Sequence, residues 1–323
     1  MAPRPLRPTL GPVTSPSPSS PALGRWDAID VARGVAILAM IVYHAAWDLS
    51  VLHLVEADIV QDPGWRWFAR TIAGSFLVLA GIGLALAHAK GLRPRPFLLR
   101  LGEVGGAALA ITAATLLAFP DSFIFFGILH CIALGSVLAL PFLRAPAAVT
   151  LAVAALVLVA PRFVTAPVFD RPALEWLGLG AQDPTTNDYV PVFPWFGLIL
   201  LGVAAGRGLM RRPGALARWR ADGLWRALAW AGRKSLPIYL VHQVVLFGAL
   251  YALASVFGPN PVAQCAADCT RQSGNAAVCR KACRCVVERV REAGALGRIT
   301  AGPVSEADRA LLGEAARMCR REP

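Results

Sequence analysis

Long apolar runs separated by short charged segments dominate the chain. They lie at roughly 29 to 49, 70 to 89, 101 to 119, 122 to 143, 146 to 161, 192 to 209 and 235 to 257, the fifth being the shortest. At a rise of about 1.5 Å per residue, ~20 apolar residues match the ~30 Å hydrocarbon layer of a bilayer. The pattern therefore predicts an all-α fold, a polytopic transmembrane helix bundle of about seven spans over residues 25–257. Residues 1–24 are rich in Pro and Ser and lack the apolar core of a signal peptide, so they read as a disordered tail. Residues 258–323 return to a polar, cysteine-rich pattern with helical spacing and read as a small C-terminal extension.

The first span carries polar residues where lipid tolerates few. Asp30, Arg33, His44 and Asp48 interrupt it, and at about 100° per residue all four fall within about 60° of one another on the helix surface. Arg33 and His44 are three turns apart on that face, about 16 Å along the axis or half the hydrocarbon thickness. Ionisable groups at membrane depth are expensive and face a protein-lined or watery interior, so the stripe marks a functional path.

With 56% hydrophobic and only 16% charged residues, the chain has too little polar surface for an ordinary globular protein. Lys and Arg outnumber Asp and Glu by 32 to 20, yet no segment sets a basic stripe among aromatics, which argues against a nucleic-acid partner. The charge instead alternates by side. Arg4, Arg7 and Arg25 precede the first span, Lys90, Arg93, Arg95 and Arg100 follow the second, Arg144 follows the fourth, and Arg207 to Lys234 hold the densest group. Glu56, Asp58, Asp62, Asp121, Asp170, Glu175, Asp183 and Asp188 occupy the opposite loops. The positive-inside rule then places the N-terminus in the cytoplasm and the C-terminal extension outside.

Six of the seven cysteines lie in that exported extension. Cys265 with Cys269 and Cys279 with Cys283 form two Cys-x3-Cys pairs, and Cys285 and Cys319 complete an even set. The i, i+4 spacing puts each pair on one helix face, and Gln272 to Asn275 form a natural turn between two short helices. An antiparallel hairpin would pair Cys265 with Cys283 and Cys269 with Cys279, leaving Cys285 for Cys319. This is one of many connectivities six cysteines allow. Disulfides suit the oxidising side. A zinc site is the rival reading, although the spacing differs from the usual Cys-x2-Cys knuckle and the extension lacks histidine. No metal is expected elsewhere.

Three of the five histidines fall within spans. Counted from a common cytoplasmic surface, His44 stands about 22 Å up, with His130 at similar height. His242, with Gln243 beside it, would stand about 12 Å up, in the inner half with Arg33. A neutral imidazole can take a proton from a hydroxyl or amine, or carry an acyl group itself. Asp48, one turn beyond His44, is placed to fix its tautomer, and Arg33 can bind phosphate bidentately. Against these stand blander roles. Asp30 and Arg33 form an i, i+3 ion pair that would anchor a helix end, and His130 beside Cys131 suits helix packing. Other functional classes also fit intramembrane histidines, namely haem-binding electron transfer and membrane transport.

Four motifs in order carry a resemblance. Asp30-x2-Arg33-Gly34 is followed by Tyr43-His44 and Trp47-Asp48, then by Gly127-Ile128-Leu129-His130, Phe193-Pro194-Trp195-Phe196-Gly197, and Gly232-Arg233-Lys234-Ser235 leading to His242-Gln243. Together, over about residues 25 to 257, they resemble the bacterial relatives of the heparan-α-glucosaminide N-acetyltransferase catalytic domain. The resemblance implies an integral-membrane acyltransferase of the bacterial inner membrane. Its donor would be cytoplasmic acetyl-CoA or another acyl-CoA, and its acceptor an amine or hydroxyl of an extracytoplasmic glycan or lipid-linked sugar. It implies that His44, with Asp48 and His130, serves catalysis and that Arg33, Asp30, His242 and Gln243 bind the donor. The lysosomal enzymes of the family carry their catalytic histidine farther along, nearer His53 here, so His44 and His53 both stand as candidates.

Overall fold

The computed structural model describes residues 26–212, 214–301 and 303–319; the expected N-terminal tail, residues 1–24, lies outside them. The described residues are all-helical. Helix α1 (Asp27–Val51) is followed by α2 (Pro63–Ala87), α3 (Pro94–Ala118), α4 (Ile128–Leu138), α5 (Ala147–Val159) and α6 (Val192–Arg211). Then come α7 (Gly214–Arg218), α8 (Gly223–Arg233) and α9 (Ser235–Phe257), and four further helices, α10 (Pro261–Ser273), α11 (Ala276–Glu292), α12 (Leu296–Ala301) and α13 (Glu306–Cys319).

Helices α1, α2, α3, α6 and α9 are long and apolar enough to cross a membrane; α4 and the stretch Ala147–Arg162 are apolar but shorter. The fourth apolar run, 122 to 143, is thus no continuous span. Its helix is confined to Ile128–Leu138, about 16 Å long. Residues 122–126 before it are strapped to the loop ahead of α6, where Asn187 N donates to Ser122 O (3.0 Å), Val190 N to Phe126 O (3.1 Å) and Thr186 Oγ1 to Phe123 O (2.8 Å). Pro141 and Pro146 break the chain after it. Conversely, α2 and α3 begin about a turn or two before the apolar runs do. Asp62 caps α2 by accepting from Trp65 N, with Pro63 at the first helical position, and Pro94 opens α3.

The core gathers α2 to α6 around Leu77, Ile199, Leu200 and Val203, each essentially inaccessible. α2 and α6 run parallel and touch backbone to backbone: a β-carbon at Gly81 would fall on the Ile199 carbonyl, and one at Gly202 on that of Val78. Small residues let membrane helices approach this closely, where packing replaces the absent hydrophobic drive. Arg207 closes the end of this layer by donating to the carbonyls of Phe142 and Ala145 between α4 and α5.

A second close crossing joins α1 to α8. A β-carbon at Gly34 would strike the Leu228 carbonyl, and one at Gly232 the Asp30 carbonyl. Because α8 lies beside the first turns of α1, α9 starts partway up the bundle rather than level with Asp27.

The C-terminal helices form a separate small core. Cys265–Cys283 and Cys269–Cys279 staple the α10–α11 hairpin and Cys285–Cys319 ties α11 to α13, so disulfides and not zinc engage these cysteines. Asn260 caps α10 and Asn275 caps α11, with Gly274 in the left-handed conformation between them (φ 73°). Val262, Ala266 and Val287 pack under the staples. The extension meets the α1–α2 connection through Asn260 N to His53 O (2.8 Å) and the Arg284–Glu56 ion pair (2.6 Å). The C-terminal ends of α1 and α9 therefore share one side.

Overpacking a tight crossing costs about 1–3 kcal/mol or more. Gly34→Leu is expected to lower the melting temperature of the detergent-solubilised protein sharply, whereas Gly208→Leu, which faces open space on α6, leaves it nearly unchanged; equal effects would remove the crossing from the account.

Candidate active site

Two cavities occupy opposite halves of the bundle. The first, about 550 Å³, lies between the start of α1, the later half of α2, one side of α4, and the starts of α3 and α9. Arg33, His88, Arg93, Arg100 and Arg233 line it, along with Gly83 and Ser136. The second, about 680 Å³, is bounded by the later part of α1, the start of α2, the end of α3 and α9. Tyr43, His44, Trp47, Asp188, His242 and Gln243 bring polar groups to its largely apolar wall. Phe76, Ile128 and Tyr239 line both cavities, so a thin layer of side chains divides them.

The cations of the first cavity are held in place. Asp30 is 1% exposed and pairs with Arg33 (3.4 Å) and Arg233 (4.0 Å), and Arg33 also donates to the Leu79 carbonyl (3.5 Å). Asp30 therefore sits behind the cavity and orients its guanidinium groups. Gly83 leaves room for Arg33, since a β-carbon there would press on its terminal nitrogen. His88 Nδ1 accepts from Arg93 N (3.3 Å), and burial first and Arg93 second push its pKa below the usual imidazole value. The arginines carry the site's charge. Several guanidinium groups converging on one cavity suit a polyanionic ligand such as a phosphate or pyrophosphate.

The second cavity gathers imidazoles. The rings of His44 and His242 meet edge to face with centroids 4.9 Å apart. This corrects the height expected for His242 and Gln243. They line the second cavity and not the first, because α9 begins above α8 and seven residues of it already reach the level of His44. His242 Nδ1 lies 2.7 Å from the Tyr239 carbonyl, which only accepts, so the proton sits on Nδ1 and Nε2 keeps its lone pair. Gln243 Nε2 donates to Asp48 Oδ1 (2.6 Å). Asp48 is thus engaged from α9, rather than by the His44 ring one turn below. Among the described residues, four buried polar atoms cluster here without a hydrogen-bond partner: His44 Nδ1, Asp48 Oδ2, His242 Nε2 and Gln243 Oε1. Buried polar groups are ordinarily satisfied by protein, water or ligand, so such a cluster makes this the candidate site for polar chemistry. Rings in direct contact leave no gap for a porphyrin between them, which disfavours the paired-haem reading.

His130 does not join them. Its Nδ1 accepts from Gly127 N (3.2 Å) and its Nε2 lies 3.2 Å from Thr112 Oγ1, which itself donates to the Ile124 carbonyl (2.7 Å). Both ring nitrogens serve the junction of α3 and α4, and the side chain lines neither cavity. His53, with φ 53°, stands at the α1–α2 connection outside both cavities, its carbonyl accepting from Asn260.

Asp188 was legible in sequence only as one acid among those of an outer loop. Its Oδ2 accepts from Ile128 N (2.9 Å), capping α4 from sixty residues away, and a β-carbon at Gly127 would collide with it. Burial raises its carboxyl to about 6, with the Ile128 N–H holding it lower than burial alone would.

A family model for the heparan-α-glucosaminide N-acetyltransferase catalytic domain matches residues 25–244. The chain belongs to that family. The match takes in every residue that lines the two cavities up to Val244 and leaves out the disulfide-bonded helices. No curated protein and no solved structure matches the chain. Membership makes the helical bundle that of a membrane acetyltransferase, with the two cavities as its candidate site.

Because folding raises the pKa of Asp188, the native state binds this proton more tightly than the unfolded chain. The stability it contributes is present at acid pH and is lost as pH rises from about 4 through about 6. The fall in melting temperature between pH 5 and pH 7.5 should therefore be smaller in Asp188→Asn than in the parent protein; an equal or larger fall would exclude Asp188 as its source.

Proposed function

We propose that the chain is an acyl-CoA-dependent transferase of the bacterial inner membrane. Its catalytic unit is residues 25–257, with residues 1–24 and the first cavity on the cytoplasmic side and residues 258–323 outside. The observation that carries this reading is the pair of unlike cavities, one cationic and one imidazole-lined, meeting at Phe76, Ile128 and Tyr239. The charge distribution of the connecting loops supports the same sidedness.

Acetyl-CoA enters the first cavity, where Arg33, Arg93, Arg100 and Arg233 meet its phosphates and its thioester points to the dividing layer. A sugar amine or hydroxyl occupies the second cavity. In direct transfer, a histidine nitrogen takes the acceptor's N–H or O–H proton as nitrogen or oxygen bonds to the acetyl carbon. The C–S bond breaks and the CoA sulfur leaves to be protonated as the thiol. In the two-step route, the imidazole nitrogen first bonds to the acetyl carbon as the C–S bond breaks and the CoA thiol leaves, and the acceptor nitrogen or oxygen then displaces the imidazole, which takes up the acceptor's proton. His44 is the catalytic candidate in either route. His242, with an unpartnered Nε2, is its partner in proton transfer. Asp48 and Gln243 fix the base of that pair, Asp30 holds the arginines, and His130 positions α4. A low-water setting between helices restricts hydrolysis of the thioester and aligns donor with acceptor.

Purified protein given labelled acetyl-CoA and glucosamine should acetylate the sugar or hydrolyse the thioester. His44→Ala should cut the rate by at least about 100-fold, the scale of general acid–base catalysis. Undiminished turnover would remove His44 from the mechanism. Arg33→Lys, which keeps the charge and loses the bidentate fork, should raise KM for acetyl-CoA about tenfold with little change for the acceptor; an unchanged KM would place the donor elsewhere.

A further inference from the structure

The second cavity opens sideways. Ala114 and Ala118 of α3, Phe119 just after it, and Val244 and Gly248 of α9 line it while being themselves exposed. Both helices are apolar enough to span a membrane, so a gap between them gives onto lipid acyl chains and not onto water. The surfaces beside the gap agree with that setting. Leu109 and Leu117 on α3 and Val241, Val245 and Tyr251 on α9 are all more than half exposed. The rim itself is built mainly of small side chains, two alanines, a glycine and a valine, which leave the passage open.

The inner end of the cavity has the opposite character. His44, Asp188, His242 and Gln243 line it, and its unmet polar atoms include His242 Nε2 and Gln243 Oε1. At about 680 Å³ the space exceeds what one sugar ring fills and lies within the ~300–1,000 Å³ range of sites for larger organic ligands. A cavity that is apolar toward lipid and polar at its inner end matches a molecule with a tail and a head.

We propose that the acceptor is a membrane-anchored amphiphile, a sugar amine or hydroxyl carried on a lipid chain, which enters between α3 and α9. This rests on the acetyltransferase reading. The chain lies along Ala114, Ala118, Val244 and Gly248, and the head group reaches the histidine pair and Asp188. The bond changes are those already given, with the head-group nitrogen or oxygen replacing sulfur on the acetyl carbon and the CoA thiol leaving. A glycan in free solution has no use for an opening at this depth.

Two measurements test the entrance. A dodecyl glucosaminide with a diazirine in its tail, added without any acyl donor to protein in nanodiscs and irradiated, should label residues 114–119 and 244–248. Ala118→Trp and Gly248→Leu, checked for folding by melting temperature, should each lose most of that label. With acetyl-CoA present, kcat/KM for dodecyl glucosaminide should exceed that for methyl glucosaminide at least about tenfold, the direction expected for burying added methylenes, and this ratio should approach one in both variants. Label spread evenly over other lipid-facing helices overturns the proposal. So does a ratio near one in the parent protein, which means a soluble acceptor. Disulfide cross-linking of Val244→Cys between two copies, with no rim labelling, overturns it in favour of a second copy covering the gap. Rim labelling without acetyl transfer to any acceptor instead sinks the acetyltransferase reading and leaves an amphiphile site of another kind.

Discussion

The glycine contact between α1 and α8 sets the geometry of the site. With no side chains between the backbones at Gly34 and Gly232, α8 lies flush against the first turns of α1, and the chain enters α9 only after that height has been used. Two histidines at different depths within their own helices, His44 well along α1 and His242 only two turns into α9, thereby meet ring to ring. The same contact places Arg233 beside Asp30, which already holds Arg33. One close approach thus organises both the cationic and the imidazole-lined cavity.

The two cavities divide the electrostatic work. In the first, charge is fixed: arginines stay protonated, and a single buried carboxylate steers two of them. In the second, the groups are those that change protonation or share protons, and several of their polar atoms wait for a partner. Asp188 links this second cavity to the scaffold. Through Ile128 it caps the helix whose first residue is also part of the dividing layer, so the outer loop and the wall between cavities are one mechanical unit.

Much of this was readable in the sequence where one helix carries the whole signal. The stripe of Asp30, Arg33, His44 and Asp48 needs only helical periodicity, and Arg33 and His44 do line cavities in opposite halves of the bundle. The paired Cys-x3-Cys motifs needed only a turn between two helices, and the hairpin pairing follows. What failed was relative height. Counting residues from a common membrane surface assumes that every span starts there, and α9 does not. Hydropathy also ran through residues 122 to 143 without registering that Gly127 admits a carboxylate from a distant loop. Asp188 itself lies in a polar segment with no periodicity, and its role comes from the strap between residues 186–190 and 122–126, which no local pattern reports. His130 was drawn toward His44 by depth alone, whereas Thr112 and Gly127 occupy its ring.

The layer formed by Phe76, Ile128 and Tyr239 has an electrical consequence. In the proposed arrangement the layer stands between a cavity open to the cytoplasm and one that gives onto lipid, so the transmembrane voltage falls across the layer and the apolar space beyond it, at about 2.3 kcal/mol per charge per 100 mV. A benzyl ring and a branched alkyl group offer no relay for hydrated ions, which leaves Tyr239, whose ring neighbours that of His242 (centroids 5.7 Å), as the polar member of the layer. Under the proposed function, such a partition can be thin enough to hand over a neutral acyl group while holding back charged species.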